Sequence, residues 1–206
     1  MLPIGGKPML QYVVERAAAE GFQNIILTVH YLAHVIEEYF GDGRRFGVNI
    51  SYVKEGQPLG TAGALSLIDA RPDTAFLVSN ADVISDVSFA GLLQFHLVQA
   101  ASATMAVRAH VWQHPFGVVR TEGMEVVGFE EKPVTKTYIN AGVYALEPSA
   151  LDVLRHGEPC DMPQLFDRLR SGGRRTFAFP LHESWMDVGR HEDLGAVRRI
   201  ASSDTP

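Results

Sequence analysis

The chain has 206 residues, 46% hydrophobic and 20% charged, with a formal net charge of −6. That is enough chain for one sizeable core, and the charge gives no basis for a nucleic-acid surface, which needs clustered cations. A single cysteine, Cys160, rules out an intramolecular disulfide and a cysteine-built metal site, in keeping with a reducing, cytoplasmic setting.

No apolar run is long enough to span a bilayer, so no membrane role is expected, and the N-terminus lacks the basic and apolar regions of a secretory signal. Residues 1–8 read as an extended segment and turn, with Pro8 suited to the first turn of a helix. Leu10, Val13, Val14 and Ala17 then recur at helical spacing, and Gly21 is the stop. The β-branched run 25–29 predicts a buried strand, 35–40 a second helix, and 48–53 a strand reached through Gly41 and Gly43. Gly60 and Thr61 precede a third helix, with Thr61 as its cap. The run Phe76-Leu77-Val78-Ser79-Asn80-Ala81-Asp82 reads as a strand in a parallel sheet covered on both faces, ending in an amide and a carboxylate.

Further along, 89–100 reads as a helix and 103–108 as a strand. The pattern then changes: 116–119 and 126–130 flank a turn at Glu122-Gly123, a hairpin signal. A strand over 138–146 follows, then a helix over 162–169 capped by Asp161, a strand over 177–179 and a last helix over 192–200, with 202–206 expected to fray. Alternating strands and helices argue for a mostly parallel, mixed α/β sheet flanked by helices, with a small antiparallel β subregion. No repeat or linker divides 1–206, so one domain is expected.

Four stretches could carry chemistry. Asp82 beyond a strand end is where open α/β sheets bind ligands and could hold Mg²⁺, although Asn80 and Asp82 alone read equally as a turn. In Gln57-Pro58-Leu59-Gly60-Thr61-Ala62-Gly63-Ala64, two glycines would admit a ligand to the backbone, and a helix start would offer free N–H groups. An ordinary capped helix start fits that stretch as well. Glu130-Glu131-Lys132-Pro133 could supply a cation for a phosphate and a carboxylate for hydroxyls, or be a solvated charge cluster. Trp185-Met186-Asp187-Val188-Gly189 adds a second carboxylate that could share a cation with Asp82. Other patterns carry less. Gly41-Asp42-Gly43-Arg44-Arg45-Phe46 follows a helix and lacks the last glycine of a dinucleotide fingerprint. His30 lies at a strand end, which argues against a zinc pair with His34. Cys160 has no His–Asp partner in view.

Taken in order, Leu2-Pro3-Ile4-Gly5-Gly6-Lys7-Pro8-Met9-Leu10, Leu59-Gly60-Thr61-Ala62-Gly63, Asn80-Ala81-Asp82, Phe116-Gly117-Val118-Val119, Glu131-Lys132-Pro133, Asn140-Ala141-Gly142-Val143-Tyr144 and Trp185-Met186-Asp187-Val188-Gly189 resemble the sugar-1-phosphate nucleotidyltransferases over nearly the whole chain. The form of the 59–63 segment is most similar to the mannose-1-phosphate guanylyltransferase branch. The resemblance implies a Rossmann-like fold of the nucleotide-diphospho-sugar transferase type. It implies an NTP, with GTP first, and a hexose 1-phosphate as substrates, Mg²⁺ as cofactor, and leaves a homo-oligomer open. By that resemblance Gln57, Gly60, Thr61 and Asn80 lie on the nucleotide side, and Gly117, Glu131, Asn140 and Gly142 on the sugar side. Lys132 would meet the sugar phosphate, and Asp82 and Asp187 the metal.

The same resemblance implies a departure. Family members open with a strand and a Gly-rich loop carrying an arginine, and Met1 aligns downstream of that point. The expectation is a chain short of its first central strand, with two strands left unpaired along one edge. Rival readings are then a sugar-phosphate-binding or regulatory paralogue without turnover, or a structural subunit.

Overall fold

A computed structural model describes residues 3–4 and 6–187, with Pro3, Ile4 and Asp187 given by their backbone. The predicted helix over 192–200 and the tail lie outside the described residues. In chain order the elements are β1 (Pro3–Ile4), β2 (Lys7–Pro8), α1 (Met9–Ala19), β3 (Asn24–Val29), α2 (Ala33–Phe40), β4 (Asn49–Lys54), α3 (Gly60–Gly63), β5 (Phe76–Ser79), β6 (Val83–Ser85), α4 (Phe89–Val98), β7 (Ala103–Gln113), β8 (Val118–Glu122), β9 (Glu125–Glu130), β10 (Val134–Leu146), α5 (Met162–Ser171), β11 (Thr176–Leu181) and β12 (Trp185–Asp187). No helix among the described residues is long and apolar enough to cross a membrane.

The main sheet has the order β11-β7-β10-β5. β11 runs parallel to β7, whereas β7–β10 and β10–β5 are antiparallel. A separate parallel pair joins β3 to β4. The expectation of a parallel environment for the 76–82 run is therefore corrected: its pairing is antiparallel to β10, and the strand stops at Ser79. Coverage on both faces does hold. Phe76 and Val78 pack into one core cluster with Tyr144, Leu165 and Leu169, and Leu77 packs into another with Val143, Ala106 and Leu92. Among the described residues β3 and β5 have one strand partner each.

α5 shows why the first core forms. Met162, Leu165, Phe166 and Leu169 repeat at helical spacing and all are buried. Each such side chain contributes roughly 1.5–3 kcal/mol through its removal from water. α1 bridges the two sheets: Val14 packs with Leu27 and Val29, while Ala17 faces the cluster of Leu92 and Val143. Its polar end is tied down as well. The Arg16 guanidinium donates to the Ser85 and Val87 carbonyls. Glu20 Oε2 accepts from the Ala90 N–H at 2.8 Å and the Ser88 hydroxyl at 3.1 Å. Burial pushes the Glu20 carboxyl up, but these hydrogen bonds and the Arg16 charge outweigh it and hold it below its usual value. A cavity of about 190 Å³ lies between α1 and the β5–β6 turn, lined by Tyr12, Arg16, Ser79, Val83 and Phe89 among others.

β7 and β10 are longer than their apolar runs predict. Their ladder continues from Ala103↔Leu146 out to Gln113↔Val134, past the last buried residue of either strand. With the β8–β9 hairpin it forms an arm whose outer half is solvated on both faces. Of the fifteen large hydrophobic residues exposed among those described, ten lie on this arm, from Val111 to Tyr138.

Candidate active site

The chain leaves β5 at Ser79, turns through Asn80, Ala81 and Asp82, and enters β6. β6 pairs antiparallel with β12, and the register sets the Asp187 backbone opposite Val83, next in sequence to Asp82. Two carboxylate-bearing segments far apart in sequence thus meet at one end of the sheet. Asp82 is exposed. Local sequence could not announce the second partner, because β6 is three residues long.

Beside this turn β10 shifts register between Asn140 and Tyr144. The irregularity is held by side chains. Asn140 Oδ1 accepts the Gly142 N–H at 3.0 Å, Asn140 Nδ2 donates to the Tyr144 hydroxyl at 2.7 Å, and the Asn80 N–H donates to the Gly142 carbonyl at 2.8 Å. Gly142 needs to be glycine on two counts. Its φ is +74°, and an added Cβ would stand 2.8 Å from Val83 Cγ2 and 3.0 Å from Asn80 Nδ2. Gly142 is buried with its N–H and C=O both engaged, so its place here is packing against Asn80 rather than an open hydrogen-bonding surface. Burial pushes the Tyr144 phenol up; the Asn140 hydrogen bond opposes this, and the charges of Asp82 and Asp161 reinforce it. The Trp185 indole N–H donates to the Ala141 carbonyl at 2.8 Å and ties β12 to the same bulge. Arg108 donates to the Trp185 carbonyl at 2.5 Å with its guanidinium over the indole ring. Tyr144 and Trp185 fall within motifs quoted from the sequence and Arg108 ends a predicted strand, but no spacing rule marks them as holding this bulge.

The 57–63 segment departs most from its sequence reading. The predicted third helix is a single turn, α3, continued by a 3-10 turn over Ala64–Leu67. Three of its four N–H groups are not free for a ligand: Thr61 N–H donates to Asp161 Oδ1 at 3.1 Å, and Ala62 and Gly63 N–H both donate to the Cys160 carbonyl at 2.9 Å. Thr61 does not cap its own helix. Its hydroxyl accepts the Met162 N–H at 2.8 Å and serves the start of α5. The glycines admit a protein segment: a Cβ on Gly60 would lie 2.5 Å from Asp161 Oδ1, and one on Gly63 2.7 Å from the Glu158 carbonyl. Gln57, Gly60 and Thr61 remain exposed. Burial first pushes the Cys160 thiol up, consistent with a structural thiol rather than a nucleophile.

The remaining predicted residues lie on the arm. Gly117 and Glu131 are brought together, with a Gly117 Cβ reaching 3.0 Å from Glu131 Oε2. Lys132 is exposed, has no ion pair among the described residues, and holds φ +44°, a left-handed conformation that side chains rarely adopt. Such local strain clusters at ligand sites. No group of three or more His, Cys, Asp or Glu is placed to hold a metal among the described residues.

Comparison with known proteins adds three findings. A family profile described as nucleotidyl transferase matches residues 1–203. A mannose-1-phosphate guanyltransferase of Yarrowia lipolytica is 37% identical over 202 residues, covering 94% of this chain and 55% of that protein. A mannose-1-phosphate guanylyltransferase of Mycobacterium tuberculosis is 36% identical (98% and 60%), and a UTP–glucose-1-phosphate uridylyltransferase of Synechocystis is 32% identical (99% and 58%). The chain spans somewhat more than half the length of these curated relatives. Among solved structures, HddC from Yersinia pseudotuberculosis shares the fold with a TM-score of 0.73 at 23% identity, over 97% of this chain and 88% of that one.

Proposed function

Because the chain belongs to the nucleotidyl transferase family, we propose that it forms a nucleotide sugar and pyrophosphate from an NTP and a hexose 1-phosphate, with GTP and mannose 1-phosphate as first choices. The observation that supports this most is the β6–β12 register, which brings the Asp82 turn and Asp187 to the sheet end beside the Asn140–Gly142 bulge. Mannose and GTP come from the names of the relatives, which include a uridylyltransferase too.

Asp82 and Asp187 suit Mg²⁺, which takes one or two carboxylates and completes its shell with water and substrate phosphates. Bound there, the ion would neutralise phosphate charge. The residues of the chain do the rest. The exposed edge of the 57–60 loop meets the base, with Asn80 beside the metal carboxylates. Glu131 and Asn140 accept and donate to sugar hydroxyls, with Gly117 giving room. Lys132 holds the sugar phosphate in line with the α-phosphorus. The attacking phosphate oxygen is ionised at neutral pH, so no general base is called for; alignment and charge neutralisation suffice. The single cysteine fits a reducing, cytoplasmic setting, and one domain over 1–206 is the simplest organisation.

The test is Mg²⁺-dependent pyrophosphate release across four NTPs and a panel of hexose 1-phosphates. It is run on the 206-residue chain and on any longer product of its gene, since the relatives are longer. Release with GTP and mannose 1-phosphate is expected. Release with another pair would move the substrate assignment alone. Binding of both substrates without release from either protein would favour the non-catalytic paralogue.

A further inference from the structure

The 59–63 loop is clasped by a segment about 100 residues away in sequence. Five hydrogen bonds join them: Cys160 N–H to the Leu59 carbonyl, Ala62 and Gly63 N–H to the Cys160 carbonyl, Thr61 N–H to Asp161 Oδ1, and Met162 N–H to the Thr61 hydroxyl. The clasp is close enough to demand glycine at 60 and 63. Asp161 is the only carboxylate among these five hydrogen bonds. It serves two masters, taking the Thr61 N–H with its carboxylate while its own N–H donates to Gln164 Oε1 at 2.9 Å at the start of α5.

We propose that Asp161 is a positioning residue for nucleotide recognition. Through the Thr61 N–H it fixes the conformation in which Gln57 and Gly60 meet the base. This rests on the nucleotidyltransferase reading above. Asp161 touches no reacting atom. Its contribution is preorganisation. Gly60 holds φ +74°, a region glycine can leave cheaply, so an unclasped loop would sample other conformations and bind a base more weakly. Asp161 is exposed, and its carboxylate also takes the Gln164 N–H in a capping box at the start of α5, so Asp161→Ala removes a helix cap along with the Thr61 contact, whereas Asp161→Asn keeps both. Of the sugar-side residues, Gly117, Glu131 and Lys132 lie on the arm and Asn140 at the β10 bulge, and none takes a hydrogen bond from this segment among the described residues.

The experiment compares wild type, Asp161→Ala and Asp161→Asn. Dissociation constants for GTP and mannose 1-phosphate are measured by calorimetry, and amide exchange at Thr61–Gly63 by NMR or mass spectrometry. One lost charge-assisted hydrogen bond corresponds to about a tenfold change in affinity. Asp161→Ala is expected to weaken GTP binding by about that factor, to leave the mannose 1-phosphate constant within about twofold, and to speed exchange at Thr61. Asp161→Asn keeps an acceptor oxygen and should return GTP affinity to within about threefold of wild type. Equal loss for both ligands, no loss for either, or an Asn variant as weak as Ala would overturn the proposal. A wild-type chain that binds no nucleotide would count against the functional reading instead. The exchange rates would then judge Asp161, with unchanged protection at Thr61 overturning its role.

Discussion

The two sides of the candidate site are built in opposite ways. The 57–63 loop is clasped by the 158–162 segment, and the residues behind it, Ala62, Gly63 and Ala64, are buried. The arm bearing Gly117, Glu131 and Lys132 is held by its own ladder and exposes Phe116 and Phe129 to 70% and 79%. The first arrangement is preorganised, with its shape fixed before a ligand arrives. The second can adapt. On the proposed function this pairs a stringent base with a more tolerant sugar site, because rejecting a ligand requires a pocket that cannot rearrange.

The strongest way to break this comparison is at the boundary between the two sides. On the proposed function, Asp82→Asn should lower kcat/KM by about 100-fold or more while both substrates still bind, because the carboxylate would hold the cation that neutralises charge developing during transfer. A kcat/KM within a few-fold of wild type would remove Asp82 from the site. Next, matched glycine substitutions set one side against the other. Gly60→Ala places a Cβ 2.5 Å from Asp161 and 2.9 Å from the Cys160 carbonyl at φ +74°. It should cost about 1–3 kcal/mol of stability on backbone strain and weaken GTP binding. Gly117→Ala meets only the end of the Glu131 side chain at 3.0 Å. It should stay within about 0.5 kcal/mol and raise only the sugar-phosphate KM. Urea unfolding and steady-state kinetics on the pair check this. Equal losses would erase the distinction.

Lys132→Gly is smaller and changes sign between readouts. Relief of the left-handed conformation should stabilise the fold by about 1 kcal/mol, while loss of the ammonium weakens mannose 1-phosphate. Denaturant midpoints and calorimetry test both. A destabilised Lys132→Gly variant would mean that the conformation is not strained.

The smallest effect is a pH dependence confined to the core. His96 is fully buried, with Nδ1 2.9 Å from the Thr104 hydroxyl. Its Nε2 lies 3.4 Å from Glu147 Oε1 without the alignment of a hydrogen bond. Burial lowers its pKa below the usual value, with Glu147 opposing weakly. The unfolded chain therefore binds a proton more readily than the folded one. Stability should be full above the ordinary histidine range and fall as pH drops through it toward the lowered folded value. Thermal midpoints from pH 8 to 5 should show the decline, and His96→Gln should flatten it. A profile unaltered by the substitution would assign the decline to other groups.

Much of the fold was legible in the sequence because its signals are local. The β-branched run became β3, the Leu10–Ala17 periodicity became α1, and Asp161 begins α5 as its residue type suggests. What could not be read depends on contacts distant in sequence. Thr61 has a helix-capping side chain, but the helix it serves begins 101 residues later. Gly60 and Gly63 signal a close approach, and only the fold reveals that Asp161 and the Glu158 carbonyl make it. The outer half of β7 was missed because residues paired only with β10 and solvated on both faces carry no hydrophobic alternation to detect. For the same reason β10 starts at Val134, ahead of the strand expected over 138–146.

The tryptophans of this chain fall one on the arm and one at the boundary between the two sides. Trp112 stands half-exposed on the arm with its ring edge against His114. Trp185 donates to the Ala141 carbonyl beneath Arg108, two residues from Asp187. With two tryptophans in all, the intrinsic fluorescence is a sum of two separable lights. Acrylamide should dim the arm first and leave a blue-shifted remainder from the strand. A divalent ion arriving at the carboxylates should move that remainder, and a sugar phosphate closing on Lys132 should move the quenchable part. The order in which substrates reach the protein would then be visible in its emission, with no label added.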